Sequence, residues 1–174
     1  MSINILLPKQ LLVIGIKEIS QSKFNLIKNR EDFNKPFGGL WTSPYYPNRK
    51  YKSSWHEWCE YEQPNWLSQD AVIITLKDDI KSFTINDQND LINFINIVGE
   101  QETLISKFMM SPNYEKAASL YDTIYLTEGG QRDTRLPSKN HRFNLYGWDV
   151  ETVLLNNLKC IKKWKYIKLD NKGR

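Results

Sequence analysis

A chain of 174 residues is long enough for one domain with a real core and short for two. With 40% hydrophobic and 13% aromatic residues, burial is not limiting, and the composition excludes a disordered adaptor. The net charge of +4 is unevenly placed, because residues 159–174 hold seven Lys/Arg against one Asp and the remainder is slightly acidic.

In chain order, the apolar run Leu11–Ile16 predicts a strand buried on both faces. Residues 17–38 read as loop with one helical turn, closed by Pro36 and Gly38-Gly39. Leu40-Trp41-Thr42 predicts a second short strand, stopped by Pro44 and Pro47. Ser53 or Ser54 can cap a helix running to about Cys59, with Glu57 completing a capping box. Ala71–Leu76 is the clearest strand, and Ser82–Ile85 is expected to pair with it. Asp87 caps the clearest helix, whose stripe Leu91, Phe94, Ile95 and Val98 ends at Gly99.

Residues 101–110 fit no single template. Ser111-Pro112 is expected to open a helix with Pro112 in its first turn, and Tyr121–Leu126 reads as a strand. A polar loop is expected from Gly129 to Lys139, then strands over 151–155 and 160–169. The order is not the alternation of a doubly wound sheet. It predicts a single α+β domain over residues 1–174, with split or facing antiparallel sheets, flanking helices and a basic C-terminal segment at 159–174.

Cys59 and Cys160 lie far apart and match neither zinc spacing nor a dense disulfide frame, which predicts a reduced, cytoplasmic compartment. The N-terminus lacks a basic region and a small-residue cleavage site, so no signal peptide is expected. No apolar run is long enough to span a bilayer, so no membrane partner is expected.

Two segments carry the chemistry. In Lys35-Pro36-Phe37-Gly38-Gly39-Leu40-Trp41-Thr42-Ser43, the glycines permit a sharp turn and close approach of a ligand. Trp41 then emerges on a strand beside two hydroxyls. Trp55 and Trp58, three apart on the next helix, share a face on which a flat heteroaromatic ring can stack. The same tryptophans suit a plain core between helix and sheet, which is the simpler reading of residue type alone. His56, Cys59 and Glu60 also share a face but make a thin metal-ligand set.

In the second segment, Asp149 and Glu151 lie two apart at the mouth of an apolar strand. In an extended chain they point the same way. Buried acids are costly unless solvated, paired or used, and a carboxylate can stabilise an oxocarbenium-like transition state. Asp149 capping a turn and Glu151 on a solvated face is the structural alternative.

The combination resembles the ADP-ribosyltransferase-like fold family, especially small phage and bacterial members. Those pair a Gly-Gly-Leu-Trp-Thr-Ser segment, here Gly38–Ser43, with a Trp-rich helix and a late Gly-Trp-Asp, here Gly147–Asp149. The resemblance spans roughly residues 11 to 157. It implies that NAD is bound in a cleft between two small sheets. Gly39, Trp41, Thr42, Ser43 and Trp55 would then contact NAD, with Trp55 helping to sandwich nicotinamide. Glu151 would orient the nicotinamide ribose, and Asp149 would act beside it.

The first strand of the family usually carries a His or Arg that holds NAD, where this chain has Val13-Ile14-Gly15. Valine donates no hydrogen bond, a loss of about 2 kcal/mol. The resemblance therefore implies either transfer of ADP-ribose from NAD to a protein or nucleic-acid acceptor, or a catalytically silent copy. The silent copy would bind and inhibit a partner, as a phage or mobile-element anti-defence protein in its host's cytoplasm. Separately, Trp164 and Tyr166 interleave with lysines in a pattern that suits nucleic acid through residues 159–174, an acidic protein partner, or a lysine-guarded edge strand.

Overall fold

The computed structural model describes residues 6–101, 103–104, 110–136 and 143–169. Along the chain run β1 (Gln10–Ile14), β2 (Leu40–Pro44), α1 (Ser54–Glu62), β3 (Asp70–Leu76), β4 (Ser82–Ile85), α2 (Gln88–Val98), β5 (Glu100–Gln101) and β6 (Ser111–Pro112). There follow α3 (Tyr114–Leu120), β7 (Thr123–Leu126), α4 (Glu128–Thr134), β8 (Thr152–Leu155) and β9 (Ile161–Lys168).

The architecture is mixed α+β. Instead of two facing sheets, seven strands join in the order β4-β7-β8-β2-β1-β3-β9, and β5 pairs with β6 apart from them. All neighbours in the large sheet are antiparallel except β4 and β7, which run parallel. The expected pairing of β4 with the preceding strand does not occur. β4 lies at one edge of the sheet, while β3 lies next to the other edge against β9.

The sheet nevertheless carries a split. β2 changes partner midway: Leu40, Trp41 and Thr42 pair with β8, whereas Ser43 and Pro44 pair with β1. Val13 and Ile14 of β1 pair with β3 on their other side, leaving the β1–β2 seam open beside them.

Local signals explain the helices. Ser53, Asp87, Asn113 and Thr127 each accept a hydrogen bond from a first-turn backbone N–H of α1, α2, α3 and α4, satisfying a donor that would otherwise lack a partner. The α1 cap is Ser53, not the Ser54 box. Pro112 lies in β6, and α3 starts only after the Asn113 cap. Much of the expected polar loop after Gly129 is α4; positions 137–139 of it lie outside the described residues. Gly130 is required in α4 because a Cβ there would sit 2.1 Å from the Ile85 carbonyl oxygen.

Strand alternation sorts the core. Ile124, Leu126 and Leu154 face one way, onto Leu91, Phe94 and Ile95 of α2, Tyr114 and Ala117 of α3, and Trp148. Burying each large apolar side chain of α2 contributes about 1.5–3 kcal/mol. Tyr125, Val153 and Leu155 face the other way and form a cluster with Leu11, Val13, Val72 and Ile74. A smaller cluster of Leu12, Ala71, Ile73 and Leu169 covers the remaining face of β1 and β3.

Candidate functional site

A cavity of 260 Å³ lies at the split, lined by Trp148, Val13 and Leu12, one from each of the three core clusters, among others. One wall is Leu12, Val13 and Ile14 of β1, and another is Trp41, Thr42 and Ser43 of β2. Lys35 comes from the loop before β2, Trp55 from α1, and Trp148, Asp149, Val150 and Thr152 from the approach to β8. The volume falls just below the span of about 300–1,000 Å³ usual for small-molecule sites.

Six of the sequence-derived candidates therefore divide cleanly. Trp41, Thr42, Ser43, Trp55 and Asp149 line this cavity, and Glu151 does not. Gly39 borders a second cavity, of 120 Å³, with Leu40 and Leu158. Gly39 has φ +69°, and a Cβ there would meet Ile27 Cδ1 and Leu154 Cδ1, each at 2.6 Å. At Gly38, with φ +79°, a Cβ would come within 2.2 Å of the Leu26 carbonyl oxygen. The Gly-Gly turn thus admits close packing of the chain on itself.

The hydroxyls of β2 serve the sheet. Thr42 Oγ1 donates to the Val153 carbonyl at 2.6 Å, and Ser43 Oγ donates to the Glu151 carbonyl at 2.8 Å. Trp41 Nε1 donates to the Gly38 carbonyl at 3.0 Å, closing the turn below it. The Trp41 ring meets Trp148 at 4.8 Å in an edge-on arrangement, and Lys35 Nζ sits 4.2 Å from its centroid. Burial pushes the Lys35 ammonium below its usual range, and the nearby Asp149 charge partly opposes that shift.

Trp55 stacks on Trp58 at 4.8 Å with ring planes 12° apart, and Trp66 tilts against both. Trp66 is 58% exposed, so the aromatic set runs from the cavity to the surface.

Asp149 and Glu151 part company because the extended strand begins only at Thr152. Glu151 is buried, and its carboxylate accepts hydrogen bonds from Tyr46 Oη at 2.7 Å and Tyr125 Oη at 2.6 Å. Ser54 Oγ lies 3.5 Å from the same carboxylate. Burial first, and the bond to Glu151 second, push both phenols well above the ordinary tyrosine range. These tyrosines carry no local sequence signal, since Tyr46 is 105 residues from Glu151 and Tyr125 is 26. Lys35 was legible only as the start of the glycine-aromatic segment.

Among the described residues no cluster of His, Cys, Asp or Glu can hold a metal ion. His56 is buried, its Nδ1 accepts from the Lys52 backbone N–H at 3.2 Å, and burial lowers its pKa. Both cysteines are free and buried, with thiols pushed up to about 11 by burial.

The described part of the basic segment forms β9, an edge strand paired only with β3. Trp164 and Tyr166 remain partly exposed on one face, with Lys163 and Lys165 on the other. Tyr166 Oη donates to Asp70 at 2.6 Å, and Lys168 pairs with the same carboxylate at 2.9 Å. Positions 170–174 lie outside the described residues. Among the described residues, no helix is long and apolar enough to cross a membrane.

The chain matches no protein-family model, no curated protein and no solved structure.

Proposed function

We propose that this chain is an ADP-ribosyltransferase-like protein that binds NAD at the β1–β2 split and transfers ADP-ribose to a protein or nucleic-acid acceptor. One observation carries this reading. Trp41, Trp55 and Asp149, from three separate parts of the chain, line a single cavity. Aromatic faces can hold the nicotinamide, and a carboxylate beside them can stabilise positive charge on the ribose. In the reaction, the bond between ribose C1′ and the pyridine nitrogen breaks, and its electron pair leaves with nicotinamide. An acceptor oxygen or nitrogen then bonds to C1′ and loses its proton to water.

The geometry favours Asp149 as the carboxylate facing that charge. Glu151, held by two tyrosines, acts as a positioning residue that fixes the 149–152 segment. The test is an NAD titration by calorimetry, followed by nicotinamide release with and without cell lysate. Saturable binding with release that Asp149→Asn removes supports the transferase. No binding at millimolar NAD sinks it.

The second reading is a catalytically silent copy that binds and inhibits a partner, as in a phage or mobile-element anti-defence protein. Val13 favours it, because an apolar side chain stands in the cavity wall where the resemblance implies a cationic NAD ligand. Partner capture that survives Asp149→Asn, without nicotinamide release by the wild type, would select this reading.

A further inference from the structure

Among the described residues Lys35 is the one cation lining the cavity, and its ammonium makes neither an ion pair nor a hydrogen bond. The Trp41 face and the charge of Asp149, which stays out of ion-pair contact, only partly offset the cost of burying this ammonium, so a further anion beside it is favourable. Its backbone is firmly placed. The neighbouring Asn34 is fully buried, and its amide donates to the Asn144 carbonyl at 2.8 Å. The Asn34 carbonyl accepts from Tyr114 Oη at 3.0 Å. One residue earlier, the Phe33 ring packs where a side chain on Gly147 would stand.

We infer that Lys35 is an anion-binding residue that holds the diphosphate of a nucleotide in this cavity, in place of the first-strand cation that Val13 lacks. The inference rests on the NAD reading, and it also fixes the direction of the ligand. Oxidised nicotinamide is itself a cation, so Lys35 over Trp41 repels that ring and attracts phosphate. The diphosphate then lies against Lys35, and the nicotinamide takes the Trp55 face of the cavity.

The test is calorimetric titration of the wild type, Lys35→Met and Lys35→Arg with NAD, nicotinamide riboside and inorganic pyrophosphate. Methionine keeps the apolar stem over Trp41, and arginine keeps the charge, so a fold defect and a charge defect separate. The expected result is that Lys35→Met weakens NAD and pyrophosphate about tenfold or more, while Lys35→Arg retains most of the affinity. Nicotinamide riboside, which carries no phosphate, should bind Lys35→Met no more weakly than the wild type. If NAD binds wild type and Lys35→Met equally, the Lys35 assignment is overturned and the NAD reading stands. If pyrophosphate binds in a Lys35-dependent way but NAD does not bind, the anion site stands and the NAD reading falls. If the wild type binds neither, both fall.

Discussion

The cavity at the split and the polar cluster around Glu151 are two residues of chain apart, yet they have opposite characters. In the first, Lys35 and Asp149 face an open space without meeting in an ion pair. In the second, a buried carboxylate has two phenol donors and is closed off. Buried polar groups are normally satisfied, so the satisfied cluster reads as structure and the unsatisfied cavity as the place where something binds. Spacing along the sequence brought the two acids together but did not assign their environments.

The sharpest way to break this contrast is Asp149→Asn. It should reduce nicotinamide release by a factor of about 100 or more while shifting stability by no more than about 0.5 kcal/mol. A thermal melt beside the release assay reads both. A large stability loss with intact release would reverse the roles assigned to the two acids.

Replacing both donors, as Tyr46→Phe with Tyr125→Phe, should destabilise the fold by about 3 kcal/mol, since each removes a bond to a buried charge. Urea denaturation measures this directly, and an unchanged midpoint would mean that the cluster is not structural. High pH probes the same pair. Both phenols have raised folded pKa values, so the folded state holds its protons more tightly than the unfolded chain does. Their contribution is complete below the unfolded tyrosine value of about 10 and is lost progressively as pH rises above it. The wild type should therefore lose stability above about pH 10 more steeply than the double variant does.

The smallest effect belongs to the far edge. The Tyr166 hydroxyl, then Lys168, hold Asp70 down to about 2. A depressed carboxylate contributes above its unfolded value of about 3.9, and the contribution fades as pH falls toward 2. Asp70→Asn should therefore flatten the acid limb of stability only slightly, because these groups are solvated and screened. Loss of the whole acid transition in that variant would show that the edge matters more than its exposure suggests.

Much of the fold was legible where signals are local. α2 needed only Asp87, an apolar stripe and Gly99, all in one short stretch of chain. β4 was placed beside the wrong partner because sheet neighbours are chosen by packing over the whole chain, and its neighbour β7 is far away in sequence. α4 hid behind Gly129-Gly130, since helix propensity cannot know that the Ile85 carbonyl leaves no room for a Cβ. At the site, the aromatic corner announced itself through residue type. The tyrosine clamp on Glu151 and the half-buried charge of Lys35 depend on distant chain crossings, which no spacing encodes.

The seam between β1 and β2 has a mechanical consequence. Their ladder pairs Leu11 with Pro44 and Leu12 with Ser43 and continues only through the Tyr45 N–H to the Gln10 carbonyl, while the ladders on either side are longer. The sheet should therefore yield most readily there, beside the cavity, and small movements of one half against the other would change the gape of the cavity without unzipping either neighbouring ladder. A molecule gripping both walls acts as a brace across that joint, so its arrival should slow amide exchange at Thr42 and Ser43 and leave the exchange of β7 untouched.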